Sequence, residues 1–364
     1  MTFKRGLTPA YICAVAFCLL LIVGCVISPR RIVGGGGGTP TPTPTATPTP
    51  NPAATGKLYV SNSGASSILR FDNAFTANST ATPAATISGI NTTLKSPAFI
   101  TLDAAADRLY IANTNGPSVL VYDNVSTRTG TVNVAPTRTI IGGKTGLLGP
   151  TDVALDKGRD LLYVADGIDI IVFTSASTAD QDTQFARDIV VGFSISAIFL
   201  DATDNRLYVA NQAADAIAVF DSASTLDSTV SANRVVQGAA THLAAPGGVQ
   251  VDGLGRLVVS NVGTSTRPPT ITIYANAAIA NSNIAPVAEI TGANTGVINP
   301  DQIAIDRTGT ETLYNADPGA GRIAVFAGFN TANSNIQPTR SITGASTGLT
   351  VSGRPVGVAV DNTR

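Results

Sequence analysis

The sequence predicts an all-β fold, a six-bladed β-propeller, on three observations. A short motif built on Leu-Tyr recurs six times, as "LYVSN" at Leu58, "LYIAN" at Leu109, "LYVAD" at Leu162, "LYVAN" at Leu207, "LVVSN" at Leu257 and "LYNAD" at Leu313. The intervals are 51, 53, 45, 50 and 56 residues, a period in the range of repeat architectures. A second motif with strand alternation precedes most copies: "PAFITLD" from Pro97, "PTDVALD" from Pro150, "PGGVQVD" from Pro246 and "PDQIAID" from Pro300. Third, the chain of repeats opens on "KLYVSN", a second strand without its first, and ends on "PVGVAVD" at Pro355 to Asp361, a first strand without its successors. Together the two ends make one blade, which closes the ring and hides both edges.

Each unit reads as four antiparallel strands. The first ends in Asp and enters a short turn such as "AAADR" or "ATDNR", with the Asp, Asn and Gly chemistry of hairpins. The Leu-Tyr strand follows. The third strands are "SILRFD", "SVLVYD", "DIIVFT", "AIAVFD", "TITIYA" and "RIAVFA". The fourth is expected to contain a stretch repeated almost verbatim, "ANSNIAPVAEITGANTG" from Ala280 and "ANSNIQPTRSITGASTG" from Ala332. Blade four lacks its Pro ("ISAIFLD" from Ile195), and the last strand of blade three, within "QFARDIVVGFS", is weakly marked. Four-stranded units repeated radially form a propeller.

Three segments are expected: residues 1–24 as a signal peptide, 25–56 as a tether and 57–364 as the propeller. Lys4 and Arg5 precede an apolar run from Ala10 to Val23, which ends in "IVGC" at Ile22 to Cys25. That ending resembles the bacterial lipobox, and the resemblance implies cleavage after Gly24 and acyl chains on Cys25. An uncleaved anchor reaching Ser28 and stopped by Arg30 and Arg31 is the alternative, since about 19 apolar residues span a bilayer; plain secretion is a third. All three place the body outside the cytoplasm. Val26 after the cysteine resembles an outer-membrane or cell-surface address. Gly34 to Gly38 and the Thr-Pro run Thr39 to Pro52 read as a swivel and a stalk, about 43 Å long at ~3.1 Å per residue.

Composition narrows the function. Net charge is −1, with 13% charged and 44% hydrophobic residues, enough apolar material for a core and no basic face for nucleic acid. All three cysteines, Cys13, Cys18 and Cys25, lie in the N-terminal segment, so the body has no disulfide, thiolate metal site or cysteine nucleophile. The lone histidine, His242, is expected as an exposed loop residue. "GGKTG" at Gly142 to Gly146 aligns with "GANTG" and "GASTG" and reads as a repeat turn. No G-x-S-x-G elbow occurs.

The turns before the first strands and after the second strands share one face. That face is expected to carry Asp152, Gly248, Asp301, Gln302 and Gly357, with a ring of Asn62, Asn113, Asp166, Asn211, Asn261 and Asp317. Oxygens in such a ring would suit Ca²⁺, which takes ~6–8 oxygen ligands. The same residues, if they bond the backbone of their own turns, would recur for structural reasons alone.

The pattern "P-x-G-V-A-V-D … LYVAN … I-x-V-F" resembles the NHL-repeat propellers from about Lys57 to Asp361; gluconolactonase-like and YncE-like propellers share a similar strand code. The resemblance implies a six-bladed ring. The expected function is a cell-envelope binding or scaffolding module for a protein, peptide or glycan at the channel mouth, with no cofactor. The alternative is a calcium-dependent lactonase-type hydrolase using Asp152, Asp166, Asp301 and Asp317.

Overall fold

A computed structural model describes residues 55–329 and 334–364. The predicted signal peptide, Cys25 and the stalk lie outside the described residues. Six sheets form the blades, each with four antiparallel strands; two of the sheets carry a fifth, short strand paired in parallel at the outer edge. From the axis outward, blade one consists of Pro355–Asp361, Lys57–Asn62, Ser67–Asp72 and Ala85–Ile87, and blade two of Pro97–Asp103, Arg108–Asn113, Ser118–Asp123 and Arg138–Ile140. Blade three is Asp152–Asp156, Leu161–Asp166, Asp169–Thr174 and Arg187–Val190. Blade four is Ala197–Asp201, Arg206–Asn211, Ala216–Asp221 and Arg234–Gln237. Blade five is Pro246–Val251, Leu257–Asn261, Thr270–Tyr274 and Ala288–Thr291. Blade six is Ile303–Asp306, Thr312–Asp317, Arg322–Ala327 and Arg340–Thr343. The predicted closure is present: Lys57 pairs with Asp361 and Val60 with Val358. Among the described residues the only helical segments are single 3₁₀ turns.

Blades pack through their Leu-Tyr strands. The tyrosine of one blade reaches the turn after the third strand of the next, where a small residue receives it. Tyr110 packs with Ala176, Tyr163 with Ala223, Tyr208 with Ala277 and Tyr314 with Ala74. The Tyr110 and Tyr314 hydroxyls donate to the Ala176 and Ala74 carbonyls at 3.1 and 3.3 Å. Blade five breaks the motif with Val258, and there the receiving residue is Phe329. A smaller residue on one side is matched by a larger one on the other, as close packing requires. Arginines opening the outer strands add a second clasp: Arg138, Arg187 and Arg340 each donate to two carbonyls of the next blade's turn.

The "ANSNI" repeat is not the fourth strand, contrary to expectation. It lies in the connection before that strand and straps the preceding blade. Ser282 bridges Val236 in parallel, and Ser334 bridges Ile290. Asn281 Oδ1 accepts from Val235 N at 3.1 Å, and Asn283 Oδ1 accepts from Ala240 N at 2.7 Å. Asn133, Asp182 and Asn335 make the same latch to Asn91, Lys144 and Asn294 amides. Each latch lies against a glycine with positive φ, for example Gly238 at 121° and Gly292 at 100°; a Cβ there would overlap the latching side chain. This explains the recurring "TGANTG"-type turn, including "GGKTG".

Candidate functional site at the channel mouth

Strand alternation places the start of each first strand and the end of each second strand on one face. The six ring residues lie there, but their polar atoms serve turns. Asn62 Nδ2 donates to the Gly348 carbonyl at 3.0 Å. Asn113 accepts from Lys95 N at 2.7 Å and donates to the Thr93 carbonyl and to Ser118 Oγ. Asp166 accepts from the Leu148 and Gly149 amides at 2.6 and 2.9 Å. Asn211 caps its own 3₁₀ turn through Ala214 N, Asn261 accepts from Ala244 N, and Asp317 accepts from the Ile298 and Asn299 amides, with Arg322 alongside. With the exception of Asn211, each holds the turn that leads into its own blade's innermost strand. Six-fold recurrence therefore marks a structural requirement of the turns.

The innermost strands build the channel. The third residues of the six motifs that begin at Pro97, Pro150, Ile195, Pro246, Pro300 and Pro355, namely Phe99, Asp152, Ala197, Gly248, Gln302 and Gly357, form a floor. Gln302 Nε2 donates to the Ile100 carbonyl at 3.1 Å, and its Oε1 accepts from Val358 N at 2.8 Å, so one side chain ties blades six, one and two. Gly357 lacks the Cβ that would collide with Ser61, Ala98 and Gln302 along that path. Asp152 accepts from its neighbour Val153 N and from Ile198 N of blade four, both at 2.7 Å. Burial pushes its carboxyl up, the two amides pull it down, and Asp301 raises it further. Beyond the floor, a cavity of about 220 Å³ is lined by Ile100, Val153, Ile198, Gln250, Ala304 and Val358.

Above the floor lies a cup of about 420 Å³. Its wall is made by the second residues of the same six motifs: Ala98, Thr151, Ser196, Gly247, Asp301 and Val356. Ser63, Gln212, Val262, Asn299 and Arg354 form the rim, and Phe99 the base. Ser196 Oγ and Thr151 Oγ1 donate to backbone carbonyls. The Asp301 carboxylate and the exposed Arg354 guanidinium have no hydrogen-bond or ion-pair partner among the described residues. Burial in the cup wall raises the Asp301 pKa to about 7, and the positive charge of Arg354 opposes the shift. At neutral pH this carboxyl is thus poised between donor and acceptor. Exposed Leu148, Ile298 and Val351 stand on the same face outside the cup.

Of the eight Asn and Asp residues predicted at the mouth, the six of the ring and the two of the entry turns, the structure brings only Asp152 and Asp301 to the channel, and Asp152 lies one layer deeper. Among the described residues, no group of three or more His, Cys, Asp or Glu is gathered as a metal site. His242 is partly exposed, as expected, but its Nδ1 lies 2.5 Å from Glu289 Oε1, a partner 47 residues away that the sequence reading did not foresee. Arg354 and Gln212 were also missed. The signal was asymmetry: Asp301 stands where the other blades have Ala, Thr, Ser, Gly or Val, and Arg354 where the residue before the strand is otherwise uncharged or, at Lys95, one place removed.

No family model matches the chain, and no curated protein matches it. Solved structures share its fold. A chain of the nidogen/laminin complex is 16% identical with a TM-score of 0.56, covering 84% of this chain and 97% of that one. A functionally unknown protein from Desulfotomaculum acetoxidans is 11% identical with a TM-score of 0.54, over 84% and 98%. A putative 6-phosphogluconolactonase from Bacteroides fragilis is 14% identical with a TM-score of 0.53, over 81% and 80%. At these identities the likeness extends to the propeller fold.

Proposed function

We propose that this protein is an exported lipoprotein, acylated at Cys25, whose NHL-like propeller binds a peptide or glycan segment in the mouth cup at the cell envelope. One observation carries the reading. The fold consumes the recurrent Asn and Asp side chains of the mouth in turns, yet leaves a carboxyl (Asp301) and a guanidinium (Arg354) unengaged around a concave, partly apolar cup. A concavity with a few convergent polar groups over apolar walls is the usual form of a small binding site. Gln212 and Asn299 on the rim supply amide donors and acceptors, and Phe99 and Val356 supply an apolar base. The second reading, a calcium-dependent lactonase, needs Asp152, Asp166, Asp301 and Asp317 around one ion. Binding is favoured because Asp166 and Asp317 are committed to the amides of their turns.

The test is a peptide and acidic-oligosaccharide array probed with the full chain, Asp301→Ala and Arg354→Ala. A ligand bound by the wild type should weaken at least about tenfold in each variant, because charged hydrogen bonds are lost, while melting temperatures do not fall. Undiminished binding in both variants would remove the cup from the function. For the anchor, the wild type should take up acyl label and Cys25→Ala should lose it; a wild type without label would return the segment to a plain anchor or secretion signal, and label retained in the variant would remove Cys25 as the acylated residue.

A further inference from the structure

Five of the six blade junctions share a strap. At each, the connection before one blade's outer strand pairs in parallel with the outer strand of the blade before it. This occurs as a short ladder at blades one and three and as single bridges at blades two, four and five. At the sixth junction, where blade one should strap blade six, no such pairing occurs among the described residues. The reason is visible in sequence. The strap there reads "ANSTA" at Ala77 to Ala81, with Thr80 where Asn283 and Asn335 stand in the other copies. Thr80 is too short to latch. Asn78 Oδ1, whose counterpart Asn281 bonds Val235 N, turns back to Thr80 N at 2.9 Å. Beyond the Arg340 clasp on the Ala77 carbonyl, a 3.4 Å contact from Ser346 Oγ to the Ser79 carbonyl remains, and neither engages the backbone of the Arg340–Thr343 edge.

Blade six nevertheless retains the receiving half. Gly344 keeps the left-handed backbone of the latched glycines, with φ of 96°, yet a Cβ there would meet nothing within 4 Å. The Ser341 and Thr343 amides and the Ser341 carbonyl face outward with no partner among the described residues, as does the Ser346 amide. Their counterparts in blade four, Val235, Gln237 and Ala240, are all bonded to the Asn281–Asn283 strap. An outer edge that offers unpaired backbone groups in sheet geometry is a template for strand addition.

We infer that the outer edge of blade six, Arg340–Thr343 with the Gly344–Ser346 turn, is a strand-addition site for an extended partner segment. The segment runs parallel to the edge and carries Asx-x-Asx. The internal straps define its chemistry: the first Asn or Asp accepts from the Ser341 amide, the middle residue pairs with the strand, and the second fills the socket over Gly344 and accepts from the Ser346 amide. The chain's own first 54 residues contain a single Asn, Asn51, and no Asp, so they cannot supply the pattern. The occupant is therefore a partner protein's segment.

The experiment titrates the full chain with a labelled peptide copying Ile279 to Ile290 and with the same peptide carrying Asn→Ala at the positions of Asn281 and Asn283. Binding is read by fluorescence anisotropy and by amide hydrogen exchange. Saturable binding is expected, with Ser341, Thr343 and Ser346 amides slowed. The doubly substituted peptide should bind at least about tenfold more weakly, the loss expected for two such hydrogen bonds. Thr80→Asn, which restores the resident latch, should compete: peptide affinity falls at least about tenfold and the melting temperature rises. Absent binding, equal binding of both peptides, or slowed amides elsewhere would overturn the inference. Concentration-dependent dimerisation that the peptide reverses would reassign the edge to a second copy and overturn the partner assignment.

Discussion

On the face away from the mouth, Arg206 and Arg234 grip Asp221, Arg256 grips Asp252, Arg159 grips Asp156 and Arg364 grips Asp107, whereas at the mouth Asp301 and Arg354 face the cup without partners. Asp221, held by two guanidiniums, is lowered to about 2; Asp301, held by none, is raised to about 7. The pairs on Asp221 are partly exposed, and each contributes ~0–1 kcal/mol. The effect of the far-face pairs is mainly to leave that end of each blade with few free charges. The difference separates groups that the fold uses from groups it tolerates, and an unpaired carboxyl with a perturbed pKa in a cleft is a mark of a functional site. The body of the ring between the faces is held by its tyrosine junctions, by the Arg138, Arg187 and Arg340 clasps and by the latches of Asn133, Asp182, Asn283 and Asn335.

Variants in the body of the ring test whether its contacts carry the stability that the mouth groups do not. The largest effect is expected from deleting Pro355 to Arg364. This removes the innermost strand of blade one and its pairing along Lys57 to Asn62. Unmade buried hydrogen bonds cost ~1–3 kcal/mol each, and several together rival a domain's whole stability of ~5–15 kcal/mol. The product should show no cooperative melt by calorimetry; a melt at the parental temperature would mean that the ring does not depend on its joint.

Next is the junction of blades five and six. Phe329→Ala leaves a void beside Val258, and chemical denaturation should show a loss of about 3–5 kcal/mol. Adding Val258→Tyr recreates the Tyr–Ala pairing of the other junctions and should recover more than half of that loss. Failure to recover would show that the exchange is not a packing compensation. The smallest of the three changes should be a gain. Asn315 is fully buried in blade six with neither side-chain polar atom bonded, where the other blades have Val60, Ile111, Val164, Val209 and Val259. Asn315→Val removes the unsatisfied amide and should stabilise by about 1–3 kcal/mol in the same assay. A loss instead would indicate that the amide has a role of its own.

The repeat motifs made the ring legible because strand alternation and turn chemistry are local. Even the degenerate copies at Ile195 and Arg187 form strands, since their neighbours pair on both sides. The strap was misread because "ANSNI" is as periodic as a strand, while its bonds run to a different blade. The site was harder for two physical reasons. Recurrence drew attention to Asn62, Asn113 and Asp317, residues that recur because every turn needs them. The contacts that shape the channel join residues far apart in sequence, such as Gln302 with Ile100. No period predicts them, and only departures from the repeat, Asp301 and Arg354, pointed to the cup.

The central claim is that the mouth carboxyl is carried at a cost to the fold. The direct test is stability against pH for the wild type and Asp301→Asn. The folded-state pKa of Asp301, about 7, lies above its unfolded value of 3.8, so its ionised form is disfavoured by folding. No penalty exists below pH 3.8; it grows as pH rises and is complete above pH 7. After discounting for water in the cup, removing the charge should stabilise the protein by about 1–2 kcal/mol at pH 8. The two unfolding curves should coincide near pH 4 and separate above pH 7, with Asp301→Asn the more stable. A variant less stable than the wild type at pH 8 would instead place Asp301 with Asp166 and Asp317 among the residues that hold the turns.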